Sequence, residues 1–206
     1  MILSATGAPV PPAAVREAVE ALARGLPIGI PTDTVYGLAV DPFRPGATDR
    51  IFAAKRRPRD VSLPVLVAGV DQALTLAAAV PDLARRLMDR YWPGPLTIVV
   101  PVAPGLGADL GDDGLTVGIR HPDHPVPQAL CAAAGPLATT SANLHGGPPL
   151  TGAAEVAATF GDDLAVVLDG GICRGSPSTV VDCTGNDLRL LREGRLPWAE
   201  LVAFAR

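Results

Sequence analysis

The chain is punctuated throughout: Gly 22 and Pro 22 together make 44 of its 206 residues, with no collagen-like period. Proline cannot donate a helix or ladder hydrogen bond, and glycine weakens any element interior, so no element between them is long. That pattern argues against a helical bundle and predicts many short elements joined by many loops. Hydrophobic residues at 48% and charged residues at 18% still supply a buried core, so disorder is excluded as the dominant state. A chain of this size buries roughly 70% of its unfolded surface and needs no disulfide or metal staple.

Within that punctuation the elements read as follows. Pro11-Pro12 opens a helix with Val15, Val19 and Leu22 on one face, closed by Gly25. Residues 26–30 read as a short buried strand stopped by Pro31. Thr48 is placed to cap a helix running through Ile51, Phe52 and Lys55 and stopped by Pro58. Asp71 is placed to cap another helix to about residue 79, and Pro81 to start one through Leu87 and Tyr91. Further strands are expected at 63–67, 95–102, 115–120, 136–140 and 164–168, with helices at 127–134, 153–160 and 198–204. Residues 178–183 and 188–192 read as a hairpin across Gly185-Asn186. Irregular alternation with one clear hairpin predicts an α/β protein, a single domain with a twisted mixed sheet flanked by helices.

Several function classes drop out. A net charge of −4 excludes a generic polyanion binder but leaves room for a local basic groove. Cys131, Cys173 and Cys183 form no C-x-x-C pair, so a reducing, cytoplasmic setting is expected rather than a disulfide framework. No apolar stretch approaches the ~18 residues of a membrane span, and the first residues show no targeting pattern. There is no G-x-x-x-x-G-K-[ST] and no G-x-G-x-x-G after a strand. His121 and His124 have H-x-x-H spacing, but Pro122 spoils the helical face a zinc site uses, so no metal site is expected. Ser141 has no His and Asp partners in sight and no G-x-S-x-G around it.

Four places can carry chemistry. Residues 31–37 (PTDTVYG) leave a strand and put hydroxyls and a carboxylate into one turn, which suits a polar ligand or simply caps itself. Lys55-Arg56-Arg57-Pro58-Arg59 concentrates four cations in an acidic chain, and Lys55 is its only lysine. Cations there either complement a helix C-terminus or offset phosphate. Residues 139–143 (TTSAN) repeat the strand-then-hydroxyl design before Gly146-Gly147. Ser178 begins a late strand and Arg192 ends the next one, where cross-strand pairing is the plainer explanation.

Taken together these fragments resemble the YrdC-like (TsaC-type) threonylcarbamoyl-AMP synthases. The resemblance rests on PTDTVYGL (31–38), KRRPRD (55–60), PGPLTIVV (93–100), TVGIRHPDH (116–124), TTSAN (139–143), STVVDCTG (178–185) and LLREG (190–194), in order across about residues 28–194. It implies a single YrdC-like domain with a deep basic groove. The implied reaction joins L-threonine, bicarbonate and ATP into threonylcarbamoyl-adenylate and pyrophosphate, with Mg2+ carried on the ATP phosphates. Carried over by position, Lys55, Arg57, Ser141 and Asn143 are the implied catalytic set. Thr34, Arg120 and Ser178 are implied to bind threonine, with Thr139 in the wall. Thr116 and Arg192 join Lys55, Arg57, Ser141 and Asn143 as implied ATP contacts. Val61-Ser62, Leu66 and Pro148-Pro149 depart from polar residues of many relatives, which removes possible substrate contacts. The resemblance also implies downstream proteins that modify tRNA, and leaves a double-stranded RNA or tRNA binding paralogue as the alternative.

Overall fold

Short apolar segments leave many backbone N–H and C=O groups to satisfy, and side-by-side pairing satisfies them. The computed structural model describes the chain apart from residues 57, 60–61, 112–113, 145, 186 and 206. Its strands are β1 (Ile2–Ser4), β2 (Ile28–Ile30), β3 (Gly37–Val40), β4 (Val65–Leu66), β5 (Leu96–Pro101), β6 (Thr116–Arg120), β7 (Leu137–Ser141), β8 (Val166–Asp169), β9 (Thr179–Asp182) and β10 (Arg189–Arg192). They form one sheet in the order β1-β8-β2-β3-β7-β4-β6-β5-β9-β10. The pairs β1–β8, β8–β2, β4–β6 and β5–β9 are parallel. The others are antiparallel, so the sheet is mixed as expected.

Helices cover both faces: α1 (Pro12–Ala23), α2 (Ala47–Lys55), α3 (Val70–Leu74), α4 (Asp82–Tyr91), α5 (Pro125–Ala134), α6 (Ala153–Phe160) and α7 (Trp198–Ala205). Strand alternation divides the core. Leu38 and Val40 of β3 join Ile51 and Phe52 of α2, Leu87 and Met88 of α4 and Val156 of α6 in one layer. Ala39, one residue out of phase, joins Leu22 of α1 and Leu130 of α5 in the other. The α1 stripe is rotated from the one expected. It buries Ala14, Ala18, Ala21 and Leu22 and leaves Val15 and Val19 partly buried, since small side chains let α1 approach α5 and the sheet.

Two expected caps are corrected. Thr48 lies inside α2, which starts after Gly46, and its hydroxyl donates instead to Asp109 O at 2.7 Å. Asp71 does not cap α3; the Gln72 side chain accepts from Ala68 N at 2.8 Å, and α3 ends at Leu74 rather than near residue 79. Two strands escaped the sequence reading, β1 and β3. β3 (GLAV) has no alternation because both its faces are buried, and pairing with β2 and β7 fixes it. The β9–β10 hairpin forms as expected. No described helix is long and apolar enough to cross a membrane.

Candidate active site

A cavity of about 390 Å³ is lined from the β2–β3 turn, residues 62–64, β4, β5, β6, β7, β9 and β10. Its wall carries Thr34, Arg120, Thr139, Ser141 and Ser178 beside apolar Leu66, Val99, Val180 and Leu191.

The PTDTVYG segment builds one end. Thr32 Oγ1 accepts from Thr34 N (3.1 Å) and Val35 N (3.2 Å) and donates to Val35 O (2.7 Å), so this turn caps itself. That bracing presents the Thr34 hydroxyl to Arg120, whose Nη1 donates to it at 2.9 Å. Arg120 Nη2 donates to Asp33 Oδ1 at 2.5 Å and Nε to Gly94 O at 3.1 Å. Arg120 is 6% exposed. Burial pulls its pKa below the ordinary arginine value, while the Asp33 carboxylate pulls it back up. Asp33 is itself half satisfied: its Oδ2 is buried without a hydrogen-bond partner among the described residues. Arg195 Nη1 closes the turn from outside, donating to Asp33 O at 2.8 Å.

The exit of β7 builds the second end. Lys55, in the last turn of α2, is 2% exposed. Its ammonium donates to Ser141 O (2.5 Å), Asn143 O (2.7 Å) and Asn143 Oδ1 (3.2 Å). Ser141 Oγ donates to Asn143 Oδ1 at 2.5 Å, and Asn143 Nδ2 ties down Leu144 O and Gly147 O. The lysine thus sits behind Ser141, against the backbone that shapes the wall. Close approach of β3 and β7 here requires glycine, because a Cβ on Gly37 would stand 2.8 Å from Thr139 Cγ2. The Thr139 hydroxyl turns back to Leu137 O, so its methyl faces that contact.

The start of β9 forms the third side. Ser178 Oγ is 2.9 Å from Thr97 Oγ1, and Arg192 Nη2 donates to Ser178 O at 3.0 Å and reaches Ser178 Oγ at 3.3 Å. Gly194 lies against this corner, where a Cβ would meet Ser178 O at 2.4 Å.

The structure therefore brings Thr34, Arg120, Thr139, Ser141, Ser178, Arg192 and Thr116 onto one cavity, with Lys55 and Asn143 immediately behind Ser141. Arg57 lies outside the described residues. The cation run itself divides, for Arg59 faces away, paired with Asp49 and Asp109 and stacked over Phe52. Sequence reasoning missed Asp33, Thr97 and Arg195, and read Ser62 only as part of a departure that removes a contact. Asp33 stood inside a quoted motif as the carboxylate among hydroxyls; Thr97 looked like a strand threonine with nothing to distinguish it. Ser62 lines the cavity with its Oγ buried and unpartnered among the described residues.

His124 does structural work. His124 Nδ1 accepts from Val126 N at the start of α5, and burial lowers the pKa of both His121 and His124. Burial pushes the thiols of Cys131 and Cys183 up to about 12, which leaves them unreactive.

A cavity with a buried guanidinium at one end, a buried ammonium behind the other and hydroxyls between them defines a binding protein or enzyme for a small polar ligand, set in a mixed α/β sheet. The Sua5/YciO/YrdC family model, described as "Telomere recombination", matches residues 20–194. The chain belongs to that family. It is 43% identical over 178 residues to a protein named "Putative threonylcarbamoyl-AMP synthase" of Mycobacterium tuberculosis H37Rv, covering 86% of this chain and 82% of the relative. It is 39% identical to the Bacillus subtilis strain 168 threonylcarbamoyl-AMP synthase, of which it covers 52%. Among solved structures, the Pyrococcus abyssi Sua5 complex with L-threonine matches with a TM-score of 0.92 at 35% identity. The match covers 99% of this chain and 60% of that one. Escherichia coli YciO matches with a TM-score of 0.85 at 25% identity, covering 94% of each chain.

Proposed function

We propose that this chain is an L-threonylcarbamoyladenylate synthase, which makes threonylcarbamoyl-AMP and pyrophosphate from L-threonine, bicarbonate and ATP. The observation that carries the reading is the Arg120–Thr34–Ser178 end of the cavity facing the Lys55-backed Ser141–Asn143 exit, in a family whose relatives bear the synthase name. The L-threonine complex of the Pyrococcus abyssi relative supports it.

In this reading Arg120 takes the threonine carboxylate. Three of its nitrogens are held by Gly94, Thr34 and Asp33, which fixes the plane, and each Nη has a second N–H to offer. Thr34 and Ser178 face the amine and side chain, and Thr139 forms the wall. Bicarbonate takes up a proton and gives carbon dioxide and water. The neutral amine adds to the carbon dioxide and loses a proton to become a carbamate anion, whose oxygen attacks the α-phosphorus of ATP and displaces pyrophosphate. An anionic nucleophile needs little general base; it needs cations to offset neighbouring anions and to hold the attack in line. Lys55 and Arg57 supply that charge, Ser141 and Asn143 fix the phosphates, and Thr116 and Arg192 flank the nucleoside. Among the described residues no three His, Cys, Asp or Glu side chains converge as a cation cage. That donor set fits Mg2+ arriving on the ATP phosphates with most of its water. The product is a labile mixed anhydride, consumed in the cytoplasm by proteins that modify tRNA.

The test is incubation with ATP, magnesium, bicarbonate and single amino acids, followed by assays for pyrophosphate and adenylate-linked product. Threonine-dependent product is expected. Lys55→Ala is expected to weaken ATP binding or turnover by about tenfold or more, because Ser141 and Asn143 lose the ammonium that holds them and the phosphates lose its nearby charge. Arg120→Ala is expected to abolish the threonine dependence. Equal pyrophosphate release with threonine, valine and no amino acid overturns the reading.

A further inference from the structure

We propose that Thr97 is a specificity-determining residue, which with Ser178 forms a hydroxyl pair that reads the side-chain hydroxyl of the bound amino acid. The inference rests on the threonine reading above and assigns a part of the cavity that reading leaves open.

Thr97 is 3% exposed and lines the cavity from β5, the strand between β6 and β9. Its Oγ1 stands 2.9 Å from Ser178 Oγ. Arg192 Nη2 approaches the same Ser178 oxygen at 3.3 Å, and a guanidinium only donates, so it occupies a lone pair. The two hydroxyls own two protons. One lies between Thr97 and Ser178; the other has no protein acceptor among the described residues, although both side chains are buried. A buried hydroxyl proton without an acceptor is costly unless the cavity's occupant accepts it.

The pair offers one donor and spare lone pairs, which complements a group that both accepts and donates. A hydroxyl does both, whereas the lone pair of the neutral amine is committed to carbon dioxide. A carboxylate only accepts and is matched by the N–H groups of Arg120, and a methyl does neither. The orientation of Thr97 is fixed as well. Gly118 of β6 lies under its methyl, where a Cβ at 118 would stand 3.3 Å from Thr97 Cγ2. A β-branched side chain has little χ1 freedom, so with its methyl seated over Gly118 its hydroxyl is held toward Ser178.

Thr97→Val preserves shape and removes only the hydroxyl. Dissociation constants for L-threonine and L-valine, measured on the full chain with MgATP present, give the preference directly. The wild-type chain is expected to prefer threonine strongly, since a site built to bond a hydroxyl rejects the analogue lacking it by up to ~10⁴. In Thr97→Val the threonine constant is expected to rise about tenfold, the loss of one buried hydrogen bond, with the valine constant little changed. The preference then contracts by that factor, and Thr97→Ser restores it. Ser178→Ala, which leaves β5 untouched, is expected to give the same contraction, so the inference is testable even if Thr97→Val folds poorly. An unchanged preference in a folded Thr97→Val, whatever Ser178→Ala does, an unchanged preference in Ser178→Ala, or equal weakening of both amino acids overturns the role of Thr97 alone. A wild-type chain that binds neither amino acid removes the threonine reading and this inference with it.

Discussion

Replacing Asp33 by alanine leaves the Arg120 guanidinium buried with no counter-charge, and the structure sets the size of the effect. The two side chains are 7% and 9% exposed and their closest atoms are 2.5 Å apart. Removing one partner of a buried ion pair costs about 3–5 kcal/mol. Two features reduce that figure here. Arg120 keeps Gly94 O and Thr34 Oγ1 as acceptors, and the substitution also removes the orphaned Asp33 Oδ2, which relieves a penalty of about 1–3 kcal/mol. Set against each other at their middle values, these leave a net loss of about 2 kcal/mol. With a urea m-value of about 2–3 kcal/mol/M, the midpoint falls by about 1 M. Arg120→Met should cost more, about 3–5 kcal/mol, because it strands a carboxylate with neither oxygen paired. The double variant should lose clearly less than the sum, with a coupling of at least about 1 kcal/mol. Urea unfolding of the four proteins, read by circular dichroism, decides it. Single variants that each lose less than about 0.5 kcal/mol, or a strictly additive double variant, would refute the claim that this pair is desolvated and coupled.

Other consequences concern packing and pH. Gly37→Ala places a Cβ 2.8 Å from Thr139 Cγ2 and 3.3 Å from Thr140 O, so β3 and β7 must separate. An overpacking loss of about 1–3 kcal/mol is expected as a lower melting temperature, together with weaker ligand binding because β7 forms the cavity wall. Burial lowers the His124 pKa from its ordinary 6.5, with Asp33 and Asp123 opposing. Between the two values the unfolded chain binds a proton that the folded chain does not, so stability rises with pH there. Stability is thus full above the unfolded value, declines as pH falls through it and levels off below the folded one. Urea midpoints at about pH 7.5 and about pH 5.5 should differ, and His124→Asn, which keeps a capping acceptor, should narrow the difference.

Local rules made much of the chain legible. Pro12 and Pro81 sit at or beside the starts of α1 and α4, where a missing N–H costs nothing, while α5 starts at Pro125, two residues before the expected 127. The apolar, β-branched run of residues 95–102 and the turn after Cys183 marked β5 and the β9–β10 hairpin. β3 was hidden because a strand buried on both faces shows no period. The caps at Thr48 and Asp71 were misread because a hydroxyl or carboxylate at a helix start has other acceptors and donors to choose among. Asp109 O, supplied from 61 residues away, took the Thr48 hydroxyl.

By itself the sequence determined which residue types were available: one lysine, hydroxyls clustered at strand exits, and arginines at strand ends. Motif order was enough to mark residues 31–37, 139–143, 178 and 192 as partners, because the resemblance spans nearly the whole chain. Only the tertiary structure decided what those groups do to one another. Sheet order puts β3 against β7 and β5 against β9, although each pair is far apart in sequence. That pairing buries Lys55 against the backbone of Ser141 and Asn143, turns Arg59 outward, sets Asp33 on Arg120 and joins Thr97 to Ser178. The reason is physical: whether a cation is a solvated helix end or a buried bracket depends on its distance to oxygens from other elements and on the water removed from around it. Neither quantity exists until the strands have paired.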